Sequence, residues 1–346
     1  MRFSGFLGLA LALTALGGGP IAGDAQQPLH DHRNAEQVDV QKVVTLRFQK
    51  EDIAPNNMTQ VFRLPDGGWG ATSNVFRGVI PLFSSTGSPT GTLGRHGAGP
   101  GEFKGPLLPM AVGKELWVVD SGNNRITTFG PHGAVVGDRT LPGAVFWVQP
   151  AADERGLLLS GYFPDRHYVA RATMDKANDR FGGDWGTIKN AWAEQHLAAA
   201  MPSGDVWAVA RAGGRIDILR ADNLELLTST RLPDDLSQPE AHPATSSADH
   251  PAAPRLYAVM ADSDGILWIV IWLADAHWRP GLNPRADMRK ILDTVVLAVS
   301  TPDRAIIGEK RMDRMCVPVL ANAGRLVSCA NEGAATIDVL RLSLQK

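Results

Sequence analysis

The sequence has few charged residues and very few cysteines. Of its 346 residues 20% are charged, and 34 Lys plus Arg nearly balance 36 Asp plus Glu, which leaves a formal net charge of -2. This balance offers no basic surface to nucleic acid or an anionic membrane. Two cysteines are too few for a disulfide-dense scaffold or a four-cysteine zinc site. By contrast, 36 glycines, 23 prolines and a 44% hydrophobic content favour an all-β protein that turns often and buries a sizeable core.

Familiar catalytic motifs are also missing. The sequence contains no His-Glu-x-x-His, Gly-x-Ser-x-Gly or Cys-x-x-Cys, and their absence lowers the expectation of an enzyme. The glycines at 97, 99 and 101 resemble a phosphate-binding loop only superficially, because no helix pattern follows them, and we interpret 94–106 as a structural turn. His30-Asp31-His32 has metal-binding residue types without further ligands at motif spacing. We assign it to a polar N-terminal tail.

The first 25 residues have the pattern of a secretory signal. Met1-Arg2 is followed by an apolar run from Phe3 to Leu16 and then by small residues, with a plausible cleavage point before Gln26. The apolar run is shorter than the about 20 residues that span a bilayer. Residues 1–25 are therefore predicted to be a signal peptide, an uncleaved anchor being the alternative. We expect a periplasmic or secreted protein with no membrane insertion after signal removal.

Export makes Cys316 and Cys329 candidates for a disulfide, because compartments beyond the membrane permit oxidation. The turn signal Asn322-Ala323-Gly324 lies between them. If Leu320 pairs with Arg325 across that turn, Cys316 lies opposite Cys329, at a spacing that a disulfide can bridge. The alternative is two buried thiols in neighbouring strands.

A turn followed by an apolar segment, often ending in Trp, recurs along the chain. Blades of four strands in β-propellers recur at about 40 to 50 residues, so six copies predict six blades, with insertions in the last intervals. A Trp at a regular repeat position predicts packing in the core. The key positions are Trp69, Trp117, Leu159, Trp207, Trp268 and Val327.

A second apolar run follows each key position and alternates like a strand. In the fifth copy this run is delayed by an insertion. The runs are Val79–Phe83, Ile126–Phe129, Tyr168–Ala170, Ile216–Leu219, Thr294–Val299 and Ile337–Leu342.

The sixth copy ends one strand short, whereas the apolar run Val43–Phe48 precedes the first copy. We predict that this N-terminal strand closes the last blade, because closure removes an exposed sheet edge. The predicted organisation is a tail at 26–39 and a propeller at 40–346.

One copy carries a family signature. Residues 94–103 read Gly-Arg-His-Gly-Ala-Gly-Pro-Gly-Glu-Phe, and 116–125 read Leu-Trp-Val-Val-Asp-Ser-Gly-Asn-Asn-Arg. This stretch resembles an NHL repeat, and the other copies keep its period without the signature. The resemblance implies a six-bladed β-propeller of four-stranded antiparallel blades. It also implies that the repeat turn joins the first and second strands of a blade and that the loop after Asp120 joins the second and third.

Two insertions, near 233–255 and 274–290, fall on connections that emerge on the same face in this strand order. Insertions on one face of a repeat scaffold often mark its binding face. The second insertion mixes aromatic and charged side chains, as binding hot spots do. The alternative is a loop that packs on itself. The candidate ligand-binding residues are Trp272, Asp275, His277, Trp278, Arg279 and, beside the mouth of the channel, Arg125.

Functions of NHL-related propellers range from protein-interaction platforms and RNA-binding domains to an amidating lyase and lactonase-type enzymes. The absence of basic charge disfavours a nucleic-acid partner. Our leading hypothesis is a binding module without a cofactor that recognises a peptide, saccharide or protein at the insertion-lined face. The alternative is a metal-dependent lactonase or lyase with Ca²⁺ or Zn²⁺ in the central channel.

Overall fold

The computed structural model describes residues 28–30, 36–49, 55–56, 58–73, 76, 78–151, 153, 155–184, 195–237, 253–275, 278–279, 291–321, 324–331 and 333–345. The first strands are β1 (Glu36–Arg47), β2 (Gln60–Arg63), β3 (Trp69–Thr72), β4 (Ile80–Phe83), β5 (Pro89–Leu93), β6 (Arg95–His96), β7 (Glu102–Phe103), β8 (Leu107–Val112), β9 (Glu115–Asp120), β10 (Arg125–Phe129), β11 (Val135–Thr140), β12 (Ala144–Pro150) and β13 (Leu157–Tyr162). The others are β14 (Val169–Ala172), β15 (Arg180–Gly182), β16 (His196–Ala200), β17 (Asp205–Ala210), β18 (Arg215–Arg220), β19 (Leu226–Arg231), β20 (Arg255–Ala261), β21 (Ile266–Ala274), β22 (Leu292–Ser300), β23 (Ala305–Met312), β24 (Val317–Pro318), β25 (Leu326–Ala330) and β26 (Thr336–Leu344). Short 3₁₀ turns cover Pro131–Gly133, Pro164–Arg166, Lys176–Asn178 and Asp234–Leu236.

The strands form an all-β fold of repeated four-stranded antiparallel sheets. Four of these sheets are β2–β5, β8–β11, β12–β15 and β16–β19, each a meander in chain order. An eight-stranded sheet has the order β20-β21-β22-β23-β1-β26-β25-β24, and β6 and β7 form a small ribbon. The repeat turn joins the first and second strands of each meander, as the NHL resemblance implies.

The first strands of the repeats lie next to one another around a central axis. Contacts run from β2 to β8, β12, β16, β20 and β24, and from β24 back to β2. Backbone hydrogen bonds join the last segment to the first sheet, from Arg63 N to the carbonyl of Leu320 and from Leu320 N to the carbonyl of Val61, both at 2.9 Å. This ring of sheets is the β-propeller architecture that the sequence predicts.

The key positions lie in the core, on the second strand of each repeat. The four Trp side chains are 4% exposed or less, and Leu159 and Val327 are fully buried. The predicted second apolar runs overlap β4, β10, β14, β18, β22 and β26. The prediction of buried repeat positions is confirmed.

The N-terminal strand lies beside the last strand of the chain. β1 pairs antiparallel with β26, from Val38 opposite Leu344 to Arg47 opposite Thr336. At its start it also pairs parallel with β23, where Glu36 lies opposite Gly308. The strand therefore begins earlier than the run Val43–Phe48 that predicts it, and part of the predicted tail at 26–39 belongs to the sheet.

A second piece of the predicted tail is also built into the fold. Leu29 N donates to the carbonyl of Arg231 at 2.8 Å, and His30 N donates to that of Arg304 at 3.1 Å. The Leu29 side chain is 2% exposed. This short segment thus connects the fourth meander to the start of β23.

Cys316 and Cys329 form the predicted disulfide, with a Cα–Cα distance of 4.4 Å. Val317 lies opposite Ser328 and Pro318 opposite Val327, which is the predicted register. The predicted signal peptide lies outside the described residues. In the part of the chain that is described, no helix has the length and apolar character needed to cross a membrane.

Candidate functional site

One end of the ring gathers side chains from three neighbouring sheets. In antiparallel meanders, the start of the first strand and the end of the second lie at the same end of the sheet. That end carries Phe146 and Tyr162 in the β12–β15 sheet, Gln195 and Arg211 beside the β16–β19 sheet, and Arg255 and Tyr257 on β20. All six side chains are partly exposed. We call these six residues the mouth cluster.

Backbone and side-chain contacts fix the cluster in place. Arg211 N donates to the carbonyl of Gln195 at 2.8 Å, and Gln195 Nε2 donates to the Tyr162 hydroxyl at 3.4 Å. The Phe146 and Tyr162 rings meet edge to face, with 5.7 Å between their centroids. The Arg211 guanidinium lies 5.9 Å from the centroid of Phe146, within the range of a cation–π contact. The Arg211 guanidinium thus packs against Phe146, one of two paired aromatic rings in the preceding sheet.

Two cations lie close together in this setting. Burial lowers the pKa of Arg211, and the neighbouring charge of Arg255 lowers it further, to about 10. Burial also lowers the pKa of Arg255. Both guanidiniums remain charged at neutral pH, in a setting from which water is partly excluded.

Tyr257 adds a neutral hydroxyl to the two cations. Burial raises the pKa of Tyr257 to about 12, against the opposing effect of the Arg211 and Arg255 charges. Its ring stacks on the indole of Trp272, with centroids 3.9 Å apart and planes inclined by 24°. At neutral pH this hydroxyl is protonated and can donate a hydrogen bond.

The structure places the predicted residue Trp272 beneath this site. Its side chain is fully buried, and its Nε1 donates to the carbonyl of Cys316 at 3.0 Å. The Arg255 guanidinium lies 5.9 Å from the indole centroid. Trp272 therefore supports Tyr257 and Arg255 and does not offer a surface of its own.

Of the other residues predicted in the second insertion, three are among the described residues. Asp275 N donates to the carbonyl of Ile291 at 2.8 Å, and Trp278 N donates to that of Asp275 at 3.4 Å. The Trp278 side chain packs against the buried group that contains Trp272, whereas Arg279 is exposed. His277 lies outside the described residues. A ligand-binding role for these four residues stays a prediction.

Arg125 binds the backbone of the turn that precedes its sheet. Its guanidinium donates to the carbonyls of Ala98 at 3.1 Å and of Gly99 and Glu102 at 2.6 Å. These bonds hold the 94–106 turn against the second sheet. Arg125 also borders a cleft of about 760 Å³ that Asp138 and Lys176 help to line. A ligand-binding role for Arg125 stays a prediction.

Asp120 holds the same turn from the other side. This fully buried carboxylate accepts hydrogen bonds from the backbone N–H groups of Lys104 at 3.1 Å, Gly105 at 2.9 Å and Gly122 at 3.1 Å. Within the turn, Gly101 has a φ of 70°, in the left-handed region that favours glycine. The interpretation of 94–106 as a structural turn agrees with these contacts.

A buried polar network lies next to the mouth cluster, between the third and fourth meanders. The Tyr168 hydroxyl donates to Asp217 Oδ2 at 2.6 Å, and Asp217 Oδ1 accepts from Arg215 Nε at 2.7 Å and Ser229 Oγ at 2.6 Å. Burial, together with the Asp217 charge, raises the pKa of Tyr168. The Tyr168 ring stacks on His196, with centroids 3.9 Å apart. This network fixes the start of β16, directly after Gln195.

The described residues contain no group of three or more His, Cys, Asp or Glu side chains arranged to hold a metal ion. In the candidate sequence His30-Asp31-His32, only His30 is among them. What the mouth cluster can do is bind a negatively charged group through two guanidiniums and a phenol.

Sequence reasoning missed Arg211, Arg255 and Tyr257, although the repeat contains the signal for them. Tyr162, Arg211 and Trp272 each follow a key position by three or four residues, and Phe146, Gln195 and Arg255 precede one by twelve or thirteen. These equivalent offsets from the key positions place the side chains at equivalent strand ends, and therefore at the same end of the ring.

No protein-family model matches the sequence, and no curated protein is similar to it. Solved structures do resemble the fold. A member of the DUF4221 family from Bacteroides vulgatus superposes with a TM-score of 0.61 at 10% identity, over 90% of this chain and 99% of that one. A Bacteroides fragilis protein that bears the name of an exported protein gives a TM-score of 0.52 at 11% identity, over 92% and 99%. Virginiamycin B lyase from Staphylococcus aureus gives 0.50 at 14% identity, over 89% and 100%.

These neighbours are β-propeller proteins. At such low identities the likeness shows the β-propeller fold and nothing about activity.

Proposed function

We propose that this protein is an exported, six-bladed propeller that works as a binding module and holds its ligand at the mouth cluster. The single observation that carries the proposal is the convergence of Arg211 and Arg255, from neighbouring sheets, beside Tyr257. Burial and the Arg255 charge lower the pKa of Arg211, and perturbed pKa values cluster at functional sites.

Six blades are inferred from the cyclic contacts of β2, β8, β12, β16, β20 and β24. In this reading the eight-stranded sheet consists of two blades, and β1 is the outermost strand of the last one. The relation to NHL repeats rests on the signature at residues 94–125, whose Asp120 and Arg125 hold the preceding turn. Export rests on the N-terminal sequence and on the name of one structural neighbour.

The location of the cluster is consistent with a binding role on this face. The described strand ends next to the insertions near 233–255 and 274–290, the start of β20 and the end of β21, lie at the same end of the ring as Arg211 and Arg255. We keep the ligand classes open as peptide, saccharide or protein. A metal-dependent lactonase or lyase is the alternative function.

Arrays of peptides and oligosaccharides test the proposal. The wild type is compared with Arg211→Gln and Arg255→Gln, and Arg155→Gln is the matched control, because Arg155 is an exposed arginine in the turn between β12 and β13, at the other end of the ring. We expect ligands that bind the wild type and Arg155→Gln to be lost by both mouth variants. Equal binding by all four proteins would refute the proposal.

A further inference from the structure

We infer that a cleft between the second and third meanders binds an extended peptide, which adds as a strand to the outer edge of β11 and directs an acidic side chain toward Lys176. The cleft has a volume of about 760 Å³ and is lined by residues that include Asp138 and Thr140 on β11 and Met174 and Lys176 in the third meander. It shares no residue with the mouth cluster, so the inference goes beyond the proposed function.

The outer edge of β11 has unused backbone groups. β11 is the end strand of its sheet and pairs with β10 alone. The bond from Leu141 N to the carbonyl of Asn124, at 3.0 Å, fixes the alternation: the backbone groups of Arg139 point to β10, and those of Asp138 and Thr140 point away from it. The Thr140 carbonyl accepts from Arg139 Nε at 3.2 Å. Among the described residues, the N–H and carbonyl of Asp138 and the N–H of Thr140 have no partner.

The chain itself covers part of the outer edge of two other sheets. Leu29 N donates to the carbonyl of Arg231 at the end of β19, at 2.8 Å, and the start of β1 pairs with β23, where Glu36 lies opposite Gly308. Folded proteins commonly cover such edges because an open edge pairs with other strands. The six residues of β11 have no such cover in the described part of the chain, so this edge is available to a strand from another molecule.

A buried ion pair holds the two walls of the cleft together. Arg139 donates from Nη1 to Asp179 Oδ1 at 2.8 Å and from Nη2 to Asp179 Oδ2 at 2.7 Å, and the two side chains are 4% and 8% exposed. Such a bidentate pair fixes the relative position of its partners. The cleft is thus formed before a ligand arrives, which lowers the free energy that binding would spend on ordering it.

The charges along the cleft favour an acidic side chain in the ligand. The Asp138 carboxylate lies 3.9 Å from Arg125 Nη1, and the Asp175 carboxylate accepts from Ala177 N at 3.1 Å. Lys176 is exposed, and its ammonium has no ion pair or hydrogen bond among the described residues. An acidic side chain on a strand beside β11 would supply the missing partner, and charge complementarity of this kind gives specificity.

The remaining surface favours apolar neighbours for that acidic residue. Val135 and Val136, at the start of β11, are 40% and 56% exposed. On the side of the third meander, the Met174 methyl group lies against the backbone at Gly137, 3.1 Å from where a Cβ atom would be. Side chains of an added strand alternate between these two sides. In strand addition, backbone hydrogen bonds supply affinity and alternate side chains supply specificity, so the ligand expected here is a β-branched segment with one acidic residue.

Fluorescence anisotropy with a labelled peptide, Ser-Val-Thr-Val-Glu-Val-Ser, tests this inference on the purified full-length protein. We expect saturable binding, and binding about two- to fivefold weaker for the version with Gln in place of Glu, as an exposed ion pair gives. Two further versions are N-methylated at alternate residues, one at odd and one at even positions. A strand pairs through one of these sets only, so one version should bind at least about tenfold more weakly and the other should match the parent peptide.

Variants assign the binding to the cleft. Lys176→Gln should weaken binding of the Glu peptide about two- to fivefold and leave the Gln peptide unchanged, whereas Lys114→Gln, at an exposed lysine between β8 and β9, should match the wild type. Asp138→Pro removes an N–H that points away from β10, which edge strands tolerate, and should weaken binding at least about tenfold. Asp138→Asn keeps that N–H and should bind at least as tightly as the wild type. Circular dichroism establishes folding, and the methylated peptides test the same bonds if Asp138→Pro does not fold.

Other results overturn the inference. Equal binding of the two methylated peptides contradicts strand addition, and binding that neither Lys176→Gln nor Asp138→Pro alters places the peptide elsewhere. A wild type that binds no peptide also rejects it, and a dimer in sedimentation that Asp138→Pro dissociates identifies a second copy of the chain as the occupant of the edge. Arg211→Gln should bind the peptide like the wild type. Loss in that variant alone would place the peptide at the mouth cluster, so this inference and the proposed function fail separately.

Discussion

Trp272 lies face to face with Tyr257, with ring centroids 3.9 Å apart and planes inclined by 24°. The indole is fully buried and its Nε1 donates to the carbonyl of Cys316 at 3.0 Å. Tyr257 itself is partly exposed at the mouth. Trp272, which the sequence offers as a candidate ligand contact, thus lies between the Tyr257 ring and the backbone of the disulfide residue Cys316.

Replacing Trp272 with Phe tests this supporting role. The substitution keeps an aromatic ring, removes the hydrogen bond to Cys316 and leaves a void, so we expect a loss of about 1–3 kcal/mol in the free energy of unfolding. Ligand binding at the mouth should weaken too, because Tyr257 loses its fixed position. Denaturant unfolding and calorimetric titration measure the two effects.

Trp117→Phe is the matched control. Trp117 is 4% exposed and its Nε1 donates to Glu115 at 2.9 Å, so this change also removes one indole hydrogen bond from a core Trp of a different sheet. It should cost similar stability and leave ligand affinity unchanged. A Trp272→Phe protein with wild-type affinity would show that Trp272 does not position the site.

Much of the fold could be predicted because the same local pattern of turn and apolar residues recurs in each repeat. A buried Trp after a turn and an alternating apolar run some ten residues later are local patterns, and they identify the second and third strands of the sheets. The pairing of Cys316 with Cys329 follows from a turn and a register that are also local. Such features need no knowledge of distant contacts.

The site could not be predicted in the same way because it is made by proximity between sheets. Arg211 and Arg255 are 44 positions apart, and neither belongs to a motif that calls for the other. Arg125, which belongs to the family signature, donates to three backbone carbonyls of a turn, and its place in the signature does not reveal these contacts. The partial burial of the Arg211 and Arg255 guanidiniums, and the effect of one charge on the other, depend on how neighbouring strands pack, and the sequence does not show that packing.

The Cys316–Cys329 disulfide should contribute to both stability and binding. It closes a loop with a sequence separation of 13, for which loop-closure entropy gives about 3 kcal/mol. Cys316 also supplies the carbonyl that holds Trp272. We expect the Cys316→Ala/Cys329→Ala protein to unfold at lower denaturant concentration and to bind mouth ligands more weakly. Wild-type protein reduced with a phosphine should behave like the double variant, whereas the double variant itself should be indifferent to the reductant.

Asp120 should be among the most sensitive positions outside the core. Asp120→Ala removes the acceptor of the Lys104, Gly105 and Gly122 N–H groups, and a buried donor without an acceptor costs about 1–3 kcal/mol. Because these donors lie on partly exposed backbone, water can replace part of the loss, and we expect the free energy of unfolding to fall by about 1–3 kcal/mol. Asp138→Asn, at a carboxylate whose side chain is 58% exposed, should change it by less than about 0.5 kcal/mol. Equal effects of the two changes would contradict a structural role of Asp120.

Leu29 tests whether the segment before β1 is part of the folded unit. The side chain is 2% exposed, and truncation of a buried leucine costs about 2–5 kcal/mol. Leu29→Ala should therefore lower the free energy of unfolding by that amount. Met58→Ala is the control, because Met58 is 46% exposed. An unchanged midpoint in Leu29→Ala would mean that the segment adds nothing to the fold.

Alkaline pH should weaken the fold through Tyr257. Its pKa is raised to about 12 by burial, whereas an unfolded tyrosine titrates near about 10. Between these values the folded state binds more protons than the unfolded state, so the stability that this group contributes is complete below about pH 10 and is lost as the pH rises toward 12. The loss reaches about 1.4 kcal/mol for each pH unit in that window. Tyr168, whose pKa is also raised, acts in the same direction, and the lowered pKa of Arg211 acts in the opposite one.

Tyr168 and Arg211 are both unchanged in Tyr257→Phe. The difference in the pH dependence of unfolding between the variant and the wild type therefore reports on Tyr257. We expect the free energy of unfolding to fall less steeply above pH 10 in the variant. With three tyrosines in the chain, the difference in tyrosinate absorbance between the two native proteins should titrate near pH 12. A difference that titrates near pH 10 would place the Tyr257 hydroxyl in water and remove it from the partly buried site that we propose.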